Sequence, residues 1–292
     1  MRAEPTVSVV VASTGPEALL ERCLAALVPQ AARHTAEIVV ARLGDAAPVP
    51  ALAAAHPTVR FVTDAAVLGL PQLRALGLAA ATGDIIALTE DRCVVAPDWL
   101  DTLVSAAADG AAVTGGVVDG PPGAGAAGWA AYFAEYGSYA DGAGTPPAIA
   151  AANVAYRRSV VDEVIDLAAS GEWEDVVHRS LLARGSSFAF LDSAAVHHHP
   201  SPGAAAFCRN RFRHGRDYAR RRLRDEGTRR RWLFLGGSWL LPALLTVRLA
   251  RAVGRRRRGM FLRALPFTVV FLTVWAAGEA WGYLRGPASA DD

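Results

Sequence analysis

Short runs of apolar, mostly β-branched residues alternate with longer Ala- and Leu-rich stretches along the first 120 residues of this 292-residue chain. A short apolar run is typical of a buried strand, and a longer stretch with helical periodicity is typical of a helix. The predicted strands cover residues 7–12, 38–41, 59–62, 85–88 and 112–118. The predicted helices cover residues 16–28, 48–56, 71–81 and 97–108. Because strands alternate with helices, the pattern predicts an α/β fold with a mostly parallel sheet and helices on both faces.

The pattern is less regular in the middle of the chain. Residues 119–147 are rich in Gly, Pro and Ala and carry aromatic side chains at a helical spacing. This stretch predicts either a flexible acceptor loop followed by an aromatic helix, or aromatic side chains that only pack into the core. Residues 148–200 then predict a strand, a helix and a further strand.

The C-terminal part of the chain is basic and apolar. Eleven arginines fall within residues 209–231, and two apolar segments follow at 232–247 and 264–284. The first segment has 16 residues, fewer than the roughly 20 that a helix needs to cross a bilayer, and the second carries Glu279. Arginines flank the first segment on both sides, so spanning would translocate one basic cluster. We therefore expect the first segment to lie in, or re-enter, the membrane interface, and the second to span or to do the same. The alternative is a buried helical pair in a soluble protein.

Charge divides the chain in the same place. Residues 1–208 contain 11 Arg and 22 Asp or Glu, whereas residues 209–292 contain 19 Arg and 6 acidic residues. We expect a catalytic domain over 1–208 and a membrane-associated helical tail over 209–292. An anionic membrane surface is the favoured partner, and nucleic acid is not expected, because Trp-, Leu- and Phe-rich runs interleave the arginines. Three widely spaced cysteines and an N-terminus without an apolar signal region favour the cytoplasmic face of the cell membrane.

Two adjacent carboxylates follow the predicted strand 85–88. Glu90 and Asp91 come at the carboxyl end of that strand, where open α/β sheets place their ligands. Pro97 then opens a helix that would anchor behind them. Paired carboxylates at such a position are suited to a divalent cation that carries phosphates, so the sequence predicts a Mg²⁺ or Mn²⁺ site.

The segment 83–100, with its strand, acidic pair and Pro97-Asp-Trp-Leu100 helix start, resembles the corresponding motif of the family 2 glycosyltransferases. Three further segments resemble the first strand of that family, its second strand and its acidic catalytic motif. They are residues 7–13, 37–42 and 174–185, and residues 68–83 resemble the helix that leads into the metal motif. The resemblance covers roughly residues 6–200. It implies a GT-A-like (Rossmann-like) fold and a nucleotide-sugar donor.

The resemblance also implies roles for individual carboxylates. Asp175 matches the catalytic base, and Glu174 is the second choice. Glu90 and Asp91 match the metal-binding positions, but Arg92 stands where the family usually has an acidic residue. Since arginine cannot ligate a cation, either the two carboxylates hold the metal with water, or Arg92 partly replaces it.

The donor-binding residues implied by the resemblance lie at strand ends and in the helix before the metal motif. They are Ala12, Ser13, Asp45, Arg74, Asp91, Arg92 and Asn153. Arg42 stands where relatives carry an acidic residue for the base or ribose. Histidines 197–199 cannot all face one ion on a strand, because successive side chains point to opposite faces.

Together these features predict an inverting glycosyltransferase that moves sugar from a nucleotide-diphosphate donor to a lipid-linked or cell-envelope glycan acceptor. The Gln-x-x-Arg-Trp motif of processive synthases is absent, so single transfers are expected. Two alternatives remain from the sequence. One is a nucleotidyltransferase of similar fold, and the other is a non-catalytic sugar-nucleotide-binding sensor or membrane scaffold.

Overall fold

The computed structural model of the chain describes residues 6–43, 50–67, 69–137, 139, 149–199, 203–226, 228–254 and 257–286. The chain divides into two compact units. The first comprises Met1–Asp119 and Tyr139–His199, and the second comprises Gly120–Ser138 and Pro200–Asp292. The domain boundary expected at residue 208 stays a prediction. The stretch 120–138 belongs to the same compact unit as the tail helices. Residues 140–148 of the expected loop, and Arg255 and Arg256, lie outside the described residues.

The first unit is built on one eight-stranded mixed sheet in the order β3-β2-β1-β4-β7-β6-β8-β5. The strands are β1 Val7–Ser13, β2 Glu37–Leu43, β3 Val59–Asp64, β4 Ile85–Glu90, β5 Cys93–Val95, β6 Val113–Asp119, β7 Asn153–Arg157 and β8 Phe188–His198. Strands β3, β2, β1 and β4 pair in parallel, as does β6 with β8, whereas β7 runs antiparallel to both neighbours and β5 antiparallel to β8. The five strands expected before residue 120 are confirmed, and the short β5 was not expected.

In the described part of the first unit, six helices cover this sheet. They are α1 Glu17–Arg33, α2 Pro50–Ala55, α3 Leu70–Ala80, α4 Trp99–Ala108, α6 Arg158–Ala169 and α7 Glu174–Ala183, whereas α5 Ala126–Tyr136 belongs to the second unit. All seven residues of β1 are buried, which shows that both faces of this central strand are covered. Helix α3 lies close against the sheet at Gly77, where an added Cβ would collide with the side chain of Val10. The predicted α/β fold is therefore confirmed.

The second unit is entirely helical in its described part. It contains α5 Ala126–Tyr136, α8 Ala204–Glu226, a 3₁₀ turn Thr228–Arg230, α9 Arg231–Ser238, α10 Leu241–Ala252 and α11 Arg258–Arg285. The first apolar segment of the sequence is thus broken, because α9 and α10 are bent by 65°. Helix α11 is long and apolar enough to cross a membrane, but the core helix of a soluble protein meets the same criteria of length and composition.

Candidate active site

The candidate site lies where the neighbouring parallel strands β1 and β4 end. Ala12 is opposite Glu90 in the strand register, and the backbone N–H of Asp91 donates to the Ala12 carbonyl at 3.2 Å. The carboxyl ends of parallel strands meet at one edge of the sheet, which brings Ser13 beside the two carboxylates. Glu90 and Asp91 are only 5% and 2% exposed. Two carboxylates at this depth need compensating charge or hydrogen bonds.

Asp91 is held by the turn that follows β1. Its Oδ2 accepts hydrogen bonds from the Ser13 hydroxyl at 2.8 Å and from the Gly15 backbone N–H at 2.6 Å. Gly15 is suited to this position, because an added Cβ would come within 3.1 Å of Oδ2. Burial raises the pKa of Asp91, although the hydrogen bonds from Gly15 and Ser13 and the charge of Arg92 oppose that shift.

Arg42 extends this arrangement to the next strand. It lies opposite Ser13 in β2, is 5% exposed and donates to the Ser13 hydroxyl at 3.0 Å. The side chains of Arg42, Ser13 and Asp91 therefore form one buried hydrogen-bonded series. Arg42, which departs from the family pattern at this position, therefore helps to hold the candidate metal ligand Asp91 through Ser13.

Arg74 joins the metal motif to the catalytic motif. Its guanidinium donates to Glu90 Oε1 at 2.6 Å and to Glu174 Oε2 at 2.9 Å. The three side chains are 8%, 7% and 13% exposed, and the guanidinium lies 5.6 Å from the ring centroid of Trp173. An arginine can hold two carboxylates at once because its planar fork offers donors in two directions. We call this buried series Glu90–Arg74–Glu174 the ion bridge.

The two carboxylates at the start of α7 differ in their environment. Glu174 is nearly buried and is engaged by Arg74. The side chain of Asp175 is 55% exposed and accepts from Arg179, one turn further along the helix, at 3.0 Å. Asp175 is thus the carboxylate of this pair that an incoming hydroxyl group can reach.

The other predicted donor-binding residues are placed differently. Asn153, on β7, is fully buried, and its amide accepts from the Trp99 indole and donates to the carbonyl oxygens of Val117 and Ala194. Arg92 is partly buried next to Asp91, and its carbonyl accepts from the backbone of the histidine run. Asp45 lies outside the described residues. The donor-binding roles of all three stay predictions.

The residues present fit a divalent cation in part. Within the described ranges no group of three or more His, Cys, Asp or Glu side chains is arranged to hold a metal. Both hydrogen bonds to Asp91 end on Oδ2, and no donor from the described residues reaches Oδ1. A buried carboxylate with one such oxygen is suited to a hard cation that also takes phosphate oxygens and water. The histidine run adds no ligand set, since successive side chains of a strand point to opposite faces and no group of three ligands forms there among the described residues.

Two contacts of the site could not be expected from the sequence pattern. Arg74 and Glu174 are 100 residues apart, so no local spacing indicates that they pair. Tyr156 of β7, whose hydroxyl lies 2.8 Å from Nε2 of His178 in α7, forms a second buried pair with that histidine. Burial lowers the pKa of His178 to about 4, so this imidazole is neutral at pH 7. The only signal for such pairs is a polar residue at a position that the periodicity assigns to the core.

Known structures resemble this one in fold. A mannosyltransferase of Pyrobaculum calidifontis, solved with GDP-Man and Mn²⁺, is 18% identical, with a TM-score of 0.58 over 96% of this chain and 88% of that one. The glucosyl-3-phosphoglycerate synthase of Mycobacterium tuberculosis, solved with Mn²⁺, UDP and glucosyl-3-phosphoglycerate, is 16% identical, with a TM-score of 0.50 over 68% of this chain and 73% of that one. The chain matches no curated protein.

Family membership follows from the sequence of the N-terminal part of the chain. The model of glycosyl transferase family 2 matches residues 8–165, which is more than half of the chain and includes all of β1 except Val7, the ion-bridge residues Arg74 and Glu90, and Asp91. The strand-end carboxylates, the mixed sheet and the GT-A-like neighbours agree with that match. The chain belongs to glycosyl transferase family 2 and is a glycosyltransferase with a GT-A-like fold.

Proposed function

We propose that this glycosyltransferase inverts the anomeric centre of a nucleotide-diphosphate sugar and makes single transfers. The observation that carries the proposal is the meeting of the two predicted motifs. Arg74 contacts both Glu90, in the metal motif, and Glu174, in the catalytic motif. One buried arginine therefore joins a carboxylate expected near the leaving diphosphate to a carboxylate that is adjacent in sequence to the expected base. Such positioning is a main source of rate acceleration in a displacement between two substrates.

The proposed reaction is a direct displacement at the anomeric carbon. The acceptor oxygen forms the new bond as the bond to the diphosphate oxygen breaks, and the nucleoside diphosphate leaves with that electron pair. The proton of the acceptor hydroxyl passes to a carboxylate. Because the displacement inverts the anomeric carbon, this carboxylate lies on the side opposite the leaving group.

We assign the base to Asp175. Its exposed carboxylate is supported by Arg179 and can be approached by an acceptor. Glu174 is less suited to the role, because both its burial and its contact with Arg74 commit it to the ion bridge. A base that already bridges a buried arginine would have to break that contact to take a proton.

On the donor side, Glu90 and Asp91 would hold a Mg²⁺ or Mn²⁺ ion, with Arg92 beside them. Bound there, the cation would neutralise part of the charge on the leaving diphosphate. The Mn²⁺ and nucleotide-diphosphate ligands of the two structural neighbours support this assignment. Ala12 and Ser13, at the end of β1, would lie against the nucleotide.

For the acceptor, we propose a lipid-linked or cell-envelope glycan on the cytoplasmic face of the cell membrane. The support is the tail, where 19 arginines and two apolar segments follow residue 208. An anionic lipid surface attracts such a basic segment, and apolar side chains add to the attraction.

The test is transfer from a panel of GDP- and UDP-sugars to membrane lipid extracts, followed by NMR of the product linkage. We expect one donor to be used, with inverted anomeric configuration and one sugar added per acceptor. Asp175→Asn is the variant that should lose transfer, and Asp162→Asn, which neutralises an exposed carboxylate of α6, is its matched control. A retained configuration would overturn the proposed displacement. Donor binding without turnover on any acceptor would favour the non-catalytic sensor instead.

A further inference from the structure

Helix α11 has two opposite apolar faces. One face is buried within the second unit, through Phe261, Ala264, Thr268, Phe271, Gly278 and Gly282, and it also holds Glu279, which accepts from the Tyr283 hydroxyl. The other face is exposed and carries Leu262, Phe267, Val270, Trp281 and Leu284. Apart from Glu279, both faces of the segment 264–284 are apolar or uncharged, which suits burial on one side and lipid contact on the other.

The buried face of α11 is occupied by the most highly charged helix of the described chain. Helices α8 and α11 approach so closely that an added Cβ at Gly215, Gly278 or Gly282 would collide with the backbone of the opposite helix. Phe207 of α8 packs on Phe271 at 4.6 Å between ring centroids, and Leu223 clusters with Tyr283. Contact therefore extends along the middle and the C-terminal part of the apolar segment 264–284.

This packing restricts the orientation of α11 in a membrane. Between Phe207 and Leu223, α8 carries seven arginines. If α11 crossed the bilayer with α8 attached, several of these charges would enter the hydrocarbon, where charged side chains are strongly unfavourable. The length of α11 permits a span, but its partner helix opposes one.

A second exposed apolar surface lies on the bent pair α9 and α10. Trp239 is 83% exposed and Trp232 67%, and Leu233, Leu240 and Leu244 are exposed as well. Exposed arginines flank them at 229, 230 and 248. Tryptophan at the level of the headgroups, with arginine beside it, is typical of helices that lie in a membrane interface.

We infer that the second unit is a monotopic membrane module, in which α9, α10 and the exposed face of α11 lie in the plane of an anionic lipid surface and α8 stays on the aqueous side. The exposed face of α11 together with the exposed side chains of α9 and α10 is called the lipid-facing surface. Charge complementarity between the arginines of this unit and anionic headgroups identifies lipid as its occupant. The inference rests on the membrane location proposed above and adds that both ends of α11 are on the cytoplasmic side.

Cysteine accessibility tests the orientation in the full chain. In a Cys208→Ser background, Gly259→Cys and Arg285→Cys each introduce one cysteine at an exposed position, at opposite ends of α11. Twenty-six residues of helix separate them by about 39 Å, more than the roughly 30 Å of the hydrocarbon core. In vesicles with the cytoplasmic side outward, we expect a membrane-impermeant maleimide to label both positions without detergent. Labelling of one position only after detergent is added would show a span and overturn the inference.

Flotation with defined vesicles tests the surface itself. We expect the purified chain to float with phosphatidylglycerol vesicles, and Trp239→Ser combined with Leu240→Ser to weaken binding at least tenfold. Ala204→Ser combined with Ala205→Ser, at two exposed positions of α8, is the control and should bind like the parent. Equal binding of parent and double variant, or self-association of the parent with no vesicle binding, would overturn the lipid-facing surface. Transfer to a soluble acceptor analogue is measured in parallel. If a chain that does not bind vesicles still transfers sugar, the lipid-facing surface is contradicted and the proposed transfer reaction is not.

Discussion

Replacing Arg74 with methionine removes the cation that joins two buried carboxylates. Methionine keeps an unbranched side chain of similar reach but has neither charge nor hydrogen-bond donors. Glu90 and Glu174 would then lie in the interior, at 7% and 13% side-chain exposure, without the group that bridges them. The ion bridge should therefore be a stabilising element of the first unit as well as a part of the candidate active site.

The loss of folding free energy in Arg74→Met follows from the burial of the ion bridge. Removing one partner of a buried ion pair costs about 3–5 kcal/mol, because an uncompensated charge stays behind. Arg179 provides the matched control, since its pair with Asp175 is 67% and 55% exposed. An exposed helical pair of this kind contributes only about 0.3–0.5 kcal/mol. Arg74→Met and Arg179→Met should thus differ by several kcal/mol although both remove an arginine bound to α7.

Native-state hydrogen exchange measures this difference locally. Under conditions where exchange follows the opening equilibrium, the slowest amides of β4 and α7 report the stability of the first unit alone. At 1.36 kcal/mol per factor of ten, Arg74→Met should speed their exchange roughly 150- to 5,000-fold. Arg179→Met should change it less than about threefold. Similar exchange in the two variants would refute the buried ion bridge.

Three further predictions concern single side chains. Asp175→Asn should abolish transfer while the donor affinity, measured by calorimetry, stays within a few-fold; transfer near the parent rate would exclude Asp175 as the base. Although burial opposes it, hydrogen bonds from Ser8 and Thr82 lower the pKa of Glu37 to about 2. The stabilisation of the folded state by the ionised Glu37 side chain is therefore fully present above the unfolded pKa near 4.5 and is lost as the pH falls through 2. Glu37→Gln should then lower the free energy of unfolding by about 2–3 kcal/mol at pH 7 and by almost nothing near pH 2. Urea unfolding at both pH values measures this, and a loss of stability that is independent of pH would contradict it. Asn153→Ala should lower the free energy of unfolding by about 2–4 kcal/mol, because it leaves an indole N–H and two carbonyl oxygens buried without their partner; a loss below about 1 kcal/mol in urea titration would contradict that role.

The strands and helices of the first unit were predictable because their signals are local. Apolar runs identified β1 and β4, and the acidic pair that ends β4 indicated the position of the site. The antiparallel insertion of β7 between β4 and β6 was not predictable, because strand order depends on long-range pairing. The three-residue β5 is too short to give a pattern of its own.

The site was predictable as a set of motifs but not as a set of contacts. Glu90, Asp91 and Glu174 were proposed as site residues from their sequence context, whereas the bridge that Arg74 makes between Glu90 and Glu174 depends on the packing of α3 and α7 around the sheet edge. Arg42 was interpreted only as a departure from the family pattern, yet it donates to Ser13. Pairings over such distances along the chain have no local sequence signal.

The most direct test of the account is donor binding at the end of β4. Calorimetric titration of the donor identified by the transfer panel, with and without Mn²⁺, should be made in the parent and in Asp91→Asn, Glu90→Gln and Arg92→Ala. We predict that chelation, Asp91→Asn and Glu90→Gln each weaken binding at least tenfold, and that Arg92→Ala weakens it by about 1.5–3 kcal/mol through loss of a charge-assisted contact. Donor affinity that is indifferent to Mn²⁺ and to all three substitutions would contradict the assignment of this strand end as the diphosphate site.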